Sequence, residues 1–304
     1  MLRRITPGQT AVRETFRESL CVERTLIVDW AYLHECAALW NSGEYFELEV
    51  NESVCSSEVN LADLIAFGKV AKFSICMGRK IDVTPLGLLS KTLVELSCDE
   101  FNSIHNLEEF PNLRVLRQSW NKEMCSARAH STLEVLALHK YASISGSSLA
   151  DLPVAPNLRT LELLGPVIKD LSEIDRYPKL ECLDIYSARK LVSVAGIERC
   201  SSLKRLELDG CKNINDLQET LSKCSSLERL VLMKVSALEN IQFIERMPNL
   251  KWLNLMDTNV IDGDMSPLLR HPSLEYAVFT SKKHFSHTEA QVRAALQAKK
   301  QGLK

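Results

Sequence analysis

The sequence predicts an α/β repeat solenoid: one short strand per repeat joins a parallel sheet on the concave side of a horseshoe. Short helices or 3-10 turns cover the convex side, and the ends are capped. Three observations carry this reading. Leucine accounts for 46 of 304 residues while glycine totals 11, a bias that needs an architectural cause. A phrase L-x-x-L-x-L returns nine times from Leu93 onward. The same punctuation, proline or a Ser-Ser pair, stands just before the phrase in most copies.

The phrase begins at Leu93, Leu113, Leu133, Leu158, Leu180, Leu203, Leu227, Leu250 and Leu274, at separations of 20 to 25 residues. A repeat of that length is too small to bury both of its faces alone, and stacking solves the problem because neighbours cover one another's leucines. Within the phrase, the fourth and sixth positions lie two apart and share one strand face, so the residues between them point the other way. One face is core and the other is free to bind. Behind each strand runs an apolar ladder with a step near three, such as Ile168/Leu171/Ile174/Tyr177, which suits a tight helical turn. Pro111, Pro156, Pro178, Pro248 and Pro272 then end that turn ahead of the next strand.

Two weaker copies extrapolate backward, Val70/Phe73/Ile75 and Tyr45/Leu48/Val50. The chain therefore divides into an N-terminal cap over 1–44, degenerate repeats over 45–92, regular repeats over 93–280 and a C-terminal cap helix over 281–304. In the first cap, Thr25 to Asp29 reads as a strand and Trp30 to Trp40 as an amphipathic helix. In the last, Ser286 and Glu289 offer a capping box for a helix over 290–299 with Val292 and Leu296 on one side.

These phrases resemble the leucine-rich repeat proteins, most closely the short class of about 22 residues that includes the SDS22-like and bacterial families. The resemblance covers about two thirds of the chain and implies a non-catalytic protein-binding scaffold. The sequence departs from the family pattern at the position eight residues after the first leucine, where the family places asparagine. Here stand Phe101, Tyr141, Pro166, Ala188, Cys211, Val235 and Thr258. Turn polar groups that an amide ladder would satisfy must find other partners.

Charge and composition exclude several functions. A net charge of −2 removes the basic footprint expected of a protein that grips phosphate backbones, so no nucleic acid partner is expected. No apolar run approaches the roughly 18 residues of a membrane span, and no secretory h-region follows Arg3 and Arg4, so no membrane association is expected. Ten cysteines without a C-x-x-C pair read as reduced thiols of a cytoplasmic protein.

Catalytic signatures are missing: there is no H-E-x-x-H, no G-x-S-x-G and no G-x-x-x-x-G-K. His284 and His287 form H-x-x-H, but without a third ligand nearby they read as part of the cap. Glu207 and Asp209 share a strand face as acid-base chemistry would require, yet an open sheet does not exclude water well enough to separate their pKa values. The expectation is no enzyme, no cofactor and no metal.

The free face is the informative one. An acidic track, Glu162, Asp184, Glu207 and Asp209, runs through its middle beside Met233, Trp252, Met256 and Tyr276. Trp120, His139 and Tyr186 complete the candidate protein-binding set. Apolar and aromatic side chains exposed on a sheet are enriched in interface cores, and acidic neighbours favour a basic partner. At about 4.8 Å per strand, nine to eleven strands span about 40–50 Å, enough for an ordinary protein interface. The expected function is protein binding through the concave face, as an immunity or antitoxin-like binder of one partner. A regulatory subunit of an enzyme such as a phosphatase, as the SDS22-like resemblance implies, and an enzyme or recognition subunit with its activity within residues 1–90 are the alternatives. Oligomeric state stays open.

Overall fold

The computed structural model describes residues 2–6, 10–16, 22–55, 58–124, 129–144, 146 and 148–301, with side chains from Arg24 onward. Cys21 and Cys125, counted above among the reduced thiols, lie outside the described residues. The chain forms two compact units, Met1–Leu136 with Pro153–Ala155, and Ala137–Leu152 with Pro156–Lys304.

In the first unit, β1 (Leu2–Thr6), β2 (Thr10–Phe16) and β3 (Val22–Val28) pair antiparallel. From β3 onward the pairing is parallel, through β4 (Glu47–Asn51), β5 (Lys72–Cys76), β6 (Glu95–Cys98) and β7 (Val115–Ser119). β4 and β5 stand at the two extrapolated copies of the phrase. A 3-10 turn over Trp30–Tyr32 leads into α1 (Leu33–Trp40), so the helix expected over 30–40 starts one tight turn late. Asp29 causes that turn, since its carboxylate accepts the Ala31 N–H at 3.1 Å.

The second unit holds the end of β8 (Val135–His139), then β9 (Thr160–Leu164), β10 (Cys182–Tyr186), β11 (Arg205–Asp209), β12 (Arg229–Met233), β13 (Trp252–Leu255) and β14 (Tyr276–Phe279). β9 to β14 are parallel and in sequential order. The return segments are 3-10 turns at Ile174–Arg176, Ile197–Arg199 and Gln242–Arg246, with α2 (Leu217–Leu221) and α3 (Ser266–Arg270). α4 (Glu289–Lys300) follows β14, with Val292 and Leu296 buried as expected. Its capping box is Thr288 with Gln291, not Ser286 with Glu289. The Ser286 hydroxyl is already taken, accepting the Met265 N–H at 2.9 Å.

The phrase works as its spacing demands. Leu158, Leu161 and Leu163 of one repeat, and Leu180, Leu183 and Ile185 of the next, are all fully buried. Burying one leucine side chain contributes about 1.5–3 kcal/mol, so a column of them outweighs the cost of ordering each short repeat only when neighbours are present. Proline punctuation is visible too: the turn Ile174–Arg176 closes on Tyr177, whose N–H donates to Ile174 O at 3.2 Å, one residue before Pro178. β8 to β13 each then leave through a left-handed residue seven after the first leucine, Lys140, Gly165, Ser187, Gly210, Lys234 and Asp257. At this corner the N–H of Ser187 reaches Asp209 O at 2.7 Å and that of Gly210 reaches Met233 O at 2.9 Å.

Of the asparagine ladder only Asn121, eight residues after Leu113, is present, its amide oxygen accepting the Glu123 N–H at 2.9 Å, and the rest is replaced piecemeal. Asn102, one place later than the family position, receives the Ile81 N–H at 2.9 Å and donates to Arg79 O at 2.9 Å. Gln118, in a leucine position and fully buried, binds both backbone groups of Ile104. The Cys211 thiol points at Ile185 O, 3.7 Å away, and the Thr258 hydroxyl donates to Leu232 O at 2.7 Å while accepting the Val235 N–H at 3.4 Å. Thr258→Val keeps the shape but strands two buried backbone groups, so it is expected to cost about 1–3 kcal/mol in chemical denaturation. A cost near zero would show that the hydroxyl does not replace the amide.

Candidate functional site

On β9 to β14 the free face is organised in rows, because in-register parallel pairing sets equivalent residues side by side. The first row runs Cys182, Arg205, Arg229, Trp252 and Tyr276. The second runs Glu162, Asp184, Glu207, Val231 and Asn254. A third holds Leu164, Tyr186, Asp209 and Met233.

Two arginines of the first row decide how the other groups behave. Arg205 Nη2 lies 3.2 Å from Asp184 Oδ2 and 3.0 Å from Glu207 Oε2, bridging two carboxylates with one nitrogen. Arg229 lays its guanidinium 3.9 Å from the centre of the Trp252 ring. On β14 Tyr276 stacks with Trp252, with centroids 5.6 Å apart and planes 13° off parallel. Arg229, Trp252 and Tyr276 thus make a preformed cation-aromatic stack, the kind of contact that holds side chains in place at little entropic cost.

Asp184 departs from expectation. The sequence reading places it in solvent with the rest of the acidic track, but the residue is only 4% exposed. Glu162 and Glu207 flank it in register and Arg205 bridges to it, and Oδ1 is buried with no hydrogen-bond partner, as is Arg205 Nε. Burial pushes its carboxyl up to about 6 against the pull of Arg205, with Glu207 and Glu162 adding to the rise. The Tyr186 phenol is raised by burial and then by Asp184, Glu207 and Glu162. Glu162, half-buried at the margin, has no ion-pair or hydrogen-bond partner among the described residues.

No protein-family model and no curated protein matches the chain. Among solved structures it is similar to an internalin from Listeria monocytogenes, at 19% identity and a TM-score of 0.51 over 81% of this chain and 71% of that one. It is also similar to a leucine-rich repeat protein from Leptospira interrogans, at 14% identity and a TM-score of 0.52 over 84% and 77%. The chain has the leucine-rich repeat fold.

On that repeat framework the candidate residues separate. Glu162, Asp184, Tyr186, Glu207 and Asp209 come together on β9 to β11, and Trp252 and Tyr276 on β13 and β14. Met233 ends β12 opposite Asp209. Met256 follows β13, its sulfur 3.8 Å from the Thr280 hydroxyl. His139 ends β8 in the second unit, half-buried, while Trp120 follows β7 in the first. The set drawn from sequence omits Arg205 and Arg229, although both stand on the free face. The signal was present: taking the residue two after each first leucine as one row puts Arg205 beside the acids and Arg229 beside Trp252.

Chemistry of other kinds finds little footing among the described residues. The His284 ring nitrogen is spent on Val260 O at 3.0 Å and His287 on the Ser286 hydroxyl at 2.9 Å, so the H-x-x-H pair does not converge. Burial raises the thiols of Cys200 and Cys211 to about 11 and that of Cys224 to about 12, the opposite of an activated nucleophile. In the first unit a cleft of about 620 Å³ lies among the turns, lined by Lys80, Asp82, Phe101, His105 and Asn121. There His105 Nδ1 sits 2.9 Å from Glu123 and 2.7 Å from the Asn121 amide, so that nitrogen is engaged by these two groups and not by the lining hydroxyls of Thr84 and Ser103.

Proposed function

We propose that the protein is a binding module whose free sheet face on β9 to β14 grips another protein with a basic surface. The observation that carries this reading is the pairing, on one face, of an acidic row only partly neutralised by Arg205 with a preformed Arg229–Trp252–Tyr276 stack. Tyr276 is 38% exposed and Leu164 41%, so apolar area flanks the charge on both sides. Rigid aromatic anchors beside a charged rim are the composition of an interface, with the charge setting approach rate and partner choice.

The narrower reading is a cytoplasmic, immunity-like protein that neutralises or regulates one partner. Eight free cysteines among the described residues, five of them buried, support a reducing compartment. No helix among the described residues is long and apolar enough to cross a membrane.

The test uses Glu162→Lys with Asp209→Lys. Both positions are half-buried strand residues outside the Arg205 bridge, so the fold survives the change. Affinity for a partner captured with the wild type is expected to fall about tenfold or more, equivalent to about 1.4 kcal/mol, with a steeper loss at low salt. Unchanged affinity of a folded double variant would remove the face from the interface.

A further inference from the structure

Resting on that reading, we propose that Glu162, Asp184 and Glu207 form a receptor for one arginine side chain of the partner, seated beside the Arg229–Trp252–Tyr276 stack. Three carboxylates occupy one row on adjacent strands, and a single guanidinium, that of Arg205, meets two of them. Glu162 has no partner among the described residues. Asp184, with a side chain 5% exposed, keeps Oδ1 buried and unbonded. A buried carboxylate oxygen without a donor is a standing cost, and nearly all such groups in folded proteins are satisfied. The buried Arg205 Nε is itself unbonded and does not satisfy this oxygen, so the row keeps an unmet acceptor, and its three carboxylates face only Arg205 and, further off, Arg229 as positive charge.

A guanidinium fits this deficit better than an ammonium. It is planar, carries five N–H donors and can bridge carboxylates roughly 5 Å apart, the spacing of neighbouring strands. It is also more weakly hydrated, which suits a half-buried row next to aromatic rings. Because Oδ1 is covered in the free protein, entry requires a side chain to turn aside. Glu162, which holds no partner, and Arg205, with a side chain 38% exposed, are the ones able to do so.

The full-length protein, labelled with ¹³C at side-chain carboxyls, is titrated with N-acetyl-arginine amide, N-acetyl-lysine amide and the neutral N-acetyl-citrulline amide. The arginine compound is expected to move the Glu162, Asp184 and Glu207 resonances saturably, with a dissociation constant at least threefold below that of the lysine compound. Citrulline should leave them in place, and Glu162→Gln with Asp184→Asn should abolish the response. Equal, non-saturating shifts of all surface carboxyls would overturn the receptor, as would tighter binding of lysine or no movement of these three. The two readings fail separately. If partner capture is lost with Glu162→Lys and Asp209→Lys but unaffected by Glu162→Gln with Asp184→Asn, the face stands and the receptor falls.

Discussion

Leu206→Ala is expected to lower the unfolding free energy by about 2–5 kcal/mol, through lost burial and the cavity left behind. Leu206 is fully buried and pairs in register with Leu183 on one side and Leu230 on the other, both fully buried as well. In a stacked array each repeat is held by its neighbours, so the loss should spread to β10 and β12 and raise amide exchange in all three strands. Glu207→Ala, one residue along the same strand but on the free face, should move stability far less. Chemical denaturation of the two variants side by side checks the alternation. A small cost at Leu206 matched by a large one at Glu207 would mean that the strand faces are assigned the wrong way round.

Asp184→Asn is expected to make the protein more stable at pH 7 and to flatten its stability profile on the acid side. The carboxyl has a folded pKa of about 6 against an ordinary 3.8, so the folded state holds the extra proton between those values. Stability therefore falls as pH rises through about 6, and above it the full cost of an ionised buried carboxylate is carried. A two-unit displacement corresponds to about 3 kcal/mol, taken as the upper end of the gain for the asparagine variant at neutral pH. His271 works with the opposite sign. It is buried, its ring nitrogen lies 3.0 Å from Ile244 O, and desolvation lowers its pKa, so protonation below about 6.5 destabilises the fold. Taking the difference between wild type and Asp184→Asn at each pH removes that contribution. A difference that stays constant from pH 4 to pH 7 would contradict the burial of Asp184.

The repeats were legible because each copy carries its own evidence. Leucines at fixed spacing and proline ahead of the strand are local signals, and they place β6 to β14 from sequence alone, with β4 and β5 by extrapolation. What stayed hidden depends on pairs of repeats. Thr258 looks like a poor substitute for asparagine until its hydroxyl is seen to reach Leu232 O in the preceding repeat, 26 residues back. Asp184 looks solvent-exposed as one letter in one strand. It is buried because Glu162 and Glu207 flank it in register and Arg205 bridges to it from the next strand. Trp252 reads as an open aromatic, yet one face carries Arg229 and another contact is the Tyr276 ring, leaving Tyr276 as the more exposed end of the stack. The capping box shifted from Ser286 to Thr288 for the same reason, since the serine hydroxyl was claimed by Met265.

Hydroxyl-radical footprinting of the protein alone and with its captured partner decides whether the free face of β9 to β14 is the binding surface. Protection is expected at Tyr276, Trp252 and Leu164, with the exposed Ile65 and Leu88, which sit on the 3-10 turns of the first unit, reacting as in the free protein. Protection at Ile65 and Leu88, with Tyr276 and Trp252 unchanged, would contradict it.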